Sequence, residues 1–145
     1  MAGLYGEYRH KLDAKGRLTL PSPIRKTLTE ETQLAIVPDA KGEFLSVYTA
    51  EKFDEWMDSV FEKRGGYDPN SREHLLMSMA LRASATPATM DGAGRITLSP
   101  KLREAAGIDK DVALVGGKDR FDIWDSARWD ETMASLDLGS LLYTS

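Results

Sequence analysis

The sequence has no cysteine, only two histidines and no long uncharged apolar run. The lack of cysteine excludes disulfides, iron–sulfur clusters, thiolate zinc sites and cysteine nucleophiles, and it gives no sign of an oxidising compartment. The N-terminal stretch becomes polar within a few residues, so we expect neither a secretion signal nor a membrane-spanning helix. These features favour a cytoplasmic protein.

Motifs of the common catalytic classes are also missing. His10 and His74 belong to no repeated constellation, and the chain has no phosphate-cradling glycine loop and no nucleophile elbow. The stretch GAGR at residues 92–95 is too short for a dinucleotide fingerprint. The many carboxylates occur in segments typical of solvated helices and turns. We therefore expect no enzymatic activity, no cofactor and no metal site.

An overall positive charge, the usual sign of a nucleic-acid-binding domain, is absent too, since the formal net charge is −4. The charge is nevertheless unevenly distributed. Residues 1–28 carry six Lys or Arg against two Asp or Glu, and residues 81–107 carry four against two. The segments that follow them, 29–80 and 108–145, are acidic. A single charged run usually solvates a surface, but the repeated alternation favours a basic face directed at a partner.

Both basic segments contain the same motif. DAKGRLTLP at residues 13–21 returns 78 positions later as DGAGRITLS at residues 91–99. The correspondence extends over about 50 positions with a single gap in a turn, which indicates a tandem duplication. Two copies of one unit favour pseudo-two-fold symmetry within the chain.

Each repeat contains the same predicted elements. Short runs with β-branched and aromatic residues flank a glycine turn and predict a hairpin, which is followed by a short helix, a second hairpin and a closing helix. Thr49 and Asp125 are the predicted N-caps of the two closing helices. We place the first repeat with its closing helices at residues 1–80 (motif 6–49), and the second repeat with a C-terminal tail at residues 81–145 (motif 83–126).

A further helix is predicted between the repeats. The chain breaker GGYDPN precedes it, and Asn70 with Glu73 forms a capping-box pattern before REHLLMSMALR. Its leucines and methionines predict packing in the core, over the sheet, or against a neighbouring subunit.

The repeated motif is suited to holding an arginine in place. Asp13 can accept backbone N–H bonds across the turn that Gly16 forms, and its carboxylate can then brace Arg17 at the start of the next strand. The second copy repeats these residues as Asp91, Gly94 and Arg95. A fixed guanidinium can bind one phosphate or read guanine O6 and N7 as a bidentate pair. The residues alone equally allow a surface salt bridge that only closes the hairpin.

The pattern GEYRHKLDAKGRLTLP at residues 6–21, with its second copy MDGAGRITLSPKLREAAGI at residues 90–108, resembles the MraZ family of the AbrB-like superfamily. The resemblance covers most of the chain. It implies an α+β, mainly β fold, in which two tandem swapped-hairpin units form a pseudo-two-fold barrel with flanking helices. It also implies a sequence-specific, DNA-binding transcriptional regulator of its own division and cell-wall operon, most simply an autorepressor. Such proteins bind tandem repeats in double-stranded DNA as ring-shaped homo-oligomers, associated with the nucleoid and not with the membrane.

Carried over residue by residue, the resemblance implies a set of DNA-binding positions. The DNA-contacting arginines fall on Arg17 and Arg95, and their partner aspartates on Asp13 and Asp91. The turn-forming glycines are Gly16 and Gly94.

Some positions around the loops differ between the repeats. Lys15 at the tip of the first turn is a predicted phosphate contact, whereas the second copy has Ala93 there, so we expect the first loop to matter more for affinity. Arg9 and Lys11 before the first loop are further predicted phosphate contacts. The matched pair Arg25 and Arg103 gives second-tier candidates for DNA contact, because a short helix can equally well use such arginines for solvation or an ion pair.

A protein-binding function is the main alternative. It keeps the fold but makes the chain similar to the antitoxin members of the superfamily, with the acidic segments as the partner surface. The full-length duplication disfavours it, because antitoxins of this type generally carry a single copy.

Overall fold

The computed structural model describes residues 3–143, so residues 1, 2, 144 and 145 of the predicted repeats lie outside the described residues. The described part of the chain forms eight strands and six helices. The strands are β1 (Glu7–Lys11), β2 (Arg17–Thr19), β3 (Leu34–Pro38), β4 (Phe44–Thr49), β5 (Thr86–Ala88), β6 (Arg95–Thr97), β7 (Asp111–Gly116) and β8 (Arg120–Asp125). The helices are α1 (Ser22–Arg25), α2 (Ala50–Glu62), α3 (Arg72–Ser84), α4 (Pro100–Ala105), α5 (Ser126–Ala134) and α6 (Leu138–Tyr143).

Most of the strands belong to one antiparallel sheet with the order β1-β7-β8-β4-β3-β5, while β2 and β6 pair as a separate two-stranded ribbon. In the alignment of the two repeats, β1 corresponds to β5, β3 to β7 and β4 to β8. When each strand is replaced by its counterpart, the strand order of the sheet is the same order read from the other edge. The pseudo-two-fold axis therefore passes between β4 and β8. The predicted α+β, mainly β class is confirmed. Within residues 3–143 the sheet is open, with β1 and β5 at its edges, and is not the closed barrel that the resemblance implies.

The first predicted hairpin of each repeat has the expected turn but not the expected partners. In the first turn, the N–H of Gly16 donates to the carbonyl of Asp13 at 3.0 Å. Strand β1, however, pairs with β7, β5 pairs with β3, and β2 pairs with β6, so every one of these strands pairs with the other repeat. The local sequence specifies a turn, whereas the partner of each strand depends on long-range packing.

The other predicted local elements are largely confirmed. Strands β3 and β4 form a hairpin, as do β7 and β8. The side chains of Thr49 and Asp125 cap α2 and α5 by accepting backbone N–H bonds. The predicted cap of α3 is wrong, because Ser71 Oγ accepts the N–H of His74 at 3.2 Å, while Asn70 donates its N–H to Asp68.

The main core lies between one face of the sheet and the ribbon with its short helices. Both repeats supply it, through Leu18 and Ile96 of the ribbon, Ile24 and Leu102 of the short helices, and Val47 and Ile123 of the sheet. The opposite face of the sheet is covered by the closing helices. Phe53 and Met57 of α2 pack on Tyr48, and Trp129 of α5 lies 5.3 Å from Trp124 between ring centroids. The repeats thus share one body, and each closing helix covers the outer face of the sheet.

Two helices leave apolar side chains exposed. Leu75, Leu76 and Met79 of α3 are exposed, so they do not lie in the core of this chain, and packing of this helix against a neighbouring subunit stays a prediction. Helix α6 exposes Leu138, Leu141 and Leu142. Among residues 3–143, no helix has the length and apolar character needed to cross a membrane.

Candidate nucleic-acid interface

The two-stranded ribbon brings both arginine motifs onto one surface. Leu18 of β2 lies opposite Ile96 of β6, and both side chains are buried in the core. Because side chains alternate along a strand, the residues on either side of this pair point outward. We call this outward surface the ribbon face; it consists of Arg17, Thr19, Arg95 and Thr97.

In the first repeat, one carboxylate organises both the loop and the arginine. Asp13 Oδ1 accepts the backbone N–H groups of Lys15 and Arg17, each at 2.9 Å. The second oxygen, Oδ2, accepts a hydrogen bond from Arg17 Nε at 2.6 Å. Gly16 takes a φ of +75°, in the left-handed region that side chains with a Cβ rarely adopt. The Asp and the Gly thus shape the turn that directs the guanidinium outward.

The second repeat has the same arrangement. Asp91 Oδ1 accepts the N–H groups of Ala93 and Arg95, both at 2.9 Å, and Oδ2 accepts from Arg95 Nε at 2.9 Å. In the part of the chain that the structure describes, the Nη atoms of Arg17 and Arg95 donate no hydrogen bond. Each guanidinium therefore keeps its two terminal nitrogens for an external acceptor.

The loops are attached to each other's repeat. The carbonyl of Gly16 accepts the N–H of Leu98 at 2.8 Å, and the carbonyl of Gly94 accepts the N–H of Leu20 at 2.9 Å. These bonds join each loop to the end of the other repeat's ribbon strand. The relative position of the two arginines is consequently set by the backbone.

The bracing carboxylates are ionised at neutral pH. Backbone hydrogen bonds from Arg17 and Arg95 are the largest cause of a lowered pKa at Asp13 and Asp91, respectively, and the guanidinium hydrogen bonds lower it further. Because these pKa values are lower in the fold than in the unfolded chain, the carboxylates stabilise the fold above the ordinary aspartate range. That contribution is lost as the pH falls through the lowered values.

The remaining predicted contacts lie outside the ribbon face. Lys15 is exposed at the tip of the first loop. Lys11 lies on the edge strand β1, with Nζ 3.8 Å from Asp111 Oδ1. The Arg9 guanidinium on the same strand is bonded to Glu7, Ser126 and Asp130. The hydrogen bond to Asp130 is the largest cause of the raised pKa of Arg9. The structure therefore brings Lys15 to the tip of the loop that carries Arg17, whereas Arg9 already has protein acceptors.

A carboxylate that the sequence did not point to lies beside the second loop. A Cβ built on Gly92 would lie 3.2 Å from Glu30 Oε1. The repeat offset pairs Glu30 with Ile108, so the first loop has no matching charge. No local pattern indicates this placement, because only the fold brings Glu30 to the other repeat. The second loop thus lacks the equivalent of Lys15 and has an added negative charge nearby.

Comparison with known proteins assigns the chain to a known family. The family model described as "MraZ protein, putative antitoxin-like" matches residues 4–64 and 81–140 of the chain. The chain belongs to the MraZ family. Both arginine loops, residues 13–17 and 91–95, fall within the ranges that match MraZ.

Named MraZ proteins match over most of their length. The transcriptional regulator MraZ of Pseudomonas fluorescens is 38% identical over 133 residues, which cover 90% of this chain and 84% of that protein. The transcriptional regulator MraZ of Syntrophobacter fumaroxidans is 35% identical over 125 residues, or 86% of this chain and 81% of that protein. The corresponding protein of Mycolicibacterium gilvum is 35% identical over 127 residues, or 88% and 84% of the two chains.

Proposed function

We propose that this chain is a sequence-specific DNA-binding transcriptional regulator that presents the ribbon face to the major groove. The observation that carries the proposal is the pair of arginines, each braced by an aspartate in the same geometry, with free Nη donors on one outer surface. The major groove admits a two-stranded β-ribbon, and an arginine fork matches guanine O6 and N7. The names of the relatives as transcriptional regulators support the same function.

Phosphate contacts supply the part of the affinity that does not depend on sequence. We assign this role to Lys15, which is exposed at the loop tip, and to Lys11. Arg9 remains a predicted contact, although a phosphate would compete with the carboxylates of Glu7 and Asp130 for its donors. In this proposal the two repeats are swapped-hairpin units. The strands that they exchange hold both loops on one surface.

Oligomerisation is a further part of the proposal. One ribbon face makes few contacts, and such binding weakens steeply as salt rises. Linked copies gain effective concentration when their spacing matches that of the DNA sites. We propose a homo-oligomeric ring on tandem repeats upstream of the chain's own operon, with autorepression as the outcome and the nucleoid as the location. The exposed apolar residues of α3 and α6 support contacts between copies.

Binding to DNA from upstream of the protein's own gene tests the function. We expect tighter binding to this DNA than to a version with scrambled repeats, in gel shifts between about 50 and 200 mM salt. The preference should persist at the higher salt, because groove contacts depend less on counterion release than phosphate contacts do. Equal affinity for the two DNAs would leave a nonspecific binder and would contradict the proposal.

The antitoxin-like description of the matched family favours a protein-binding module as the second candidate. The acidic segments at residues 29–80 and 108–145 would then form the partner surface. The absorbance ratio at 260 and 280 nm of the protein purified at low salt separates the candidates. Co-purifying nucleic acid that high salt removes is expected for the DNA-binding function only.

The Asp13→Asn variant tests the role of Asp13 in holding Arg17 separately from its role in shaping the turn. The asparagine Oδ1 can still accept the two backbone N–H groups, but its NH₂ group cannot accept from Arg17 Nε. We expect a lower thermal midpoint than that of the wild type at pH 7, a difference that shrinks as the pH falls through the lowered pKa of Asp13, and DNA affinity lower by about 3- to 10-fold. Thermal melts across pH and fluorescence anisotropy measure these effects. An unchanged affinity would show that Asp13 does not aim Arg17.

Glu30→Gln tests the charge difference between the loops. Removing the carboxylate beside the second loop removes repulsion of DNA phosphate, and we expect affinity to rise about 2- to 3-fold at low salt. Glu31→Gln is the matched control, since it makes the same charge change at the neighbouring exposed residue. If both variants gain equally, net charge and not the position of Glu30 accounts for the effect.

A further inference from the structure

An arginine from the opposite repeat packs against each turn glycine. A Cβ built on Gly16 would lie 3.5 Å from both Cζ and Nε of Arg103. One built on Gly94 would lie 3.0 Å from Nη1 of Arg25. Arg25 ends α1 and Arg103 lies in α4, so each short helix carries its arginine to the loop of the other repeat. The lack of a side chain at the two glycines lets the arginines approach the loop backbone.

These two arginines have no acceptor within the described residues. Neither side chain forms an ion pair or a hydrogen bond among residues 3–143, whereas Arg9, Arg17, Arg64, Arg82, Arg95 and Arg120 each pair with a carboxylate. The Nε of Arg103 is buried without a partner. Because this Nε is buried, it cannot reach DNA, and the terminal nitrogens of Arg103, which are neither hydrogen-bonded within the described residues nor buried, are the donors open to an external acceptor.

We infer that Arg25 and Arg103 bind backbone phosphates of DNA beside the groove that the ribbon face reads. This inference rests on the proposed function and extends it to residues outside the two DxxxR motifs. Each loop then combines two cations with different roles. The arginine of its own repeat is aimed by an aspartate, and the arginine of the other repeat is unpaired and free to neutralise a phosphate.

The contact of each loop with an arginine of the other repeat also accounts for how an acidic chain can bind a polyanion. It adds two guanidinium groups at the loops, and neither of them forms an ion pair with a carboxylate within residues 3–143. Glu30 lies beside the second loop, the one that Arg25 contacts, and weakens that phosphate position. Arg103 at the first loop is therefore the stronger of the two.

The test replaces each arginine by glutamine, which removes the charge and keeps a polar stem. We expect Arg103→Gln to lower affinity about 5-fold on both the upstream DNA and the scrambled DNA, with a salt slope smaller by about one per chain. Arg25→Gln should act in the same direction with a smaller effect. The preference for the upstream DNA should stay unchanged, because phosphate contacts carry no sequence information.

Arg72→Gln on α3 is the matched control, since it removes an exposed arginine away from the loops. Salt slopes of the Arg25 and Arg103 variants equal to that of Arg72→Gln would overturn the inference while the wild type still binds DNA. A wild type that shows no preference for the upstream DNA would instead overturn the proposed function. If Arg103→Gln does not fold, Arg103→Lys keeps the charge, and its slope should match that of the wild type, while a reduced slope would contradict the inference.

Discussion

Arg17→Ala is expected to weaken binding to the upstream DNA on the order of 10- to 100-fold, with the fold and the oligomer intact. The guanidinium of Arg17 is held by Asp13 at 2.6 Å through Nε, so its Nη donors point in one direction before DNA arrives. Alanine removes this oriented group from the ribbon face. The turn should persist, because the bonds from Asp13 Oδ1 go to backbone N–H groups that alanine keeps.

Two further variants sharpen this prediction. Arg95→Ala should have the same kind of effect but a smaller one, because the second loop lacks an equivalent of Lys15 and lies beside Glu30. Arg82→Ala removes an arginine ion-paired with Asp54 at 3.2 Å on the helices and should leave DNA binding unchanged. Gel shifts at moderate salt, circular dichroism and light scattering provide the measurements. Affinity like that of the wild type in the Arg17 variant would refute the role of the ribbon face.

Gly16→Ala is expected to destabilise the protein by roughly 2–4 kcal/mol. Alanine would have to adopt a φ of +75°, and its Cβ would lie 2.6 Å from the carbonyl oxygen of Leu98. This carbonyl is part of the backbone and cannot rotate away as a side chain could. The substitution would also displace the loop from Arg103 and from the other repeat, so DNA binding should fall together with stability.

Gly65→Ala is the control for backbone conformation. Gly65 has a φ of +90°, but a Cβ there would meet nothing within 4 Å, so the variant carries only the left-handed strain. Gly94→Ala should fall between the two, since the groups that its Cβ would meet belong to the flexible side chain of Arg25. Urea denaturation curves give the free energies of unfolding. Equal destabilisation by Gly16→Ala and Gly65→Ala would show that the loop does not pack closely on the second repeat.

Features that depend on a few consecutive residues were predictable. The turn at residues 13–17 has its expected geometry because the hydrogen bonds that Asp13 accepts in it all lie within five positions. Thr49 and Asp125 cap their helices for the same reason. The cap of α3 was misplaced by one residue, since Asn70 and Ser71 are both good caps and it is Ser71 Oγ that accepts the N–H of His74.

Features that join distant residues were not predictable from the local pattern, and only the family resemblance implied swapped hairpins. The exchange of β1 and β5 between the repeats, the ion pair of Arg9 with Asp130, and the positions of Arg25, Arg103 and Glu30 all depend on contacts across the duplication. A repeated sequence offers two chemically similar partners for each strand, so pattern alone cannot choose between them. Burial makes the choice, because pairing β2 with β6 places Leu18 and Ile96 together in the shared core.

The sequence by itself determined the duplication, the two Asp-braced arginine loops, the glycines that shape them and the family to which the chain belongs. These are matters of local hydrogen bonding and backbone conformation, which residue identity at short spacing controls. Only the tertiary structure decided that both arginines share one face, that each loop touches an arginine of the other repeat, and that a carboxylate lies beside the second loop. These follow from burying one common core across two repeats, which brings together residues that lie far apart in the chain.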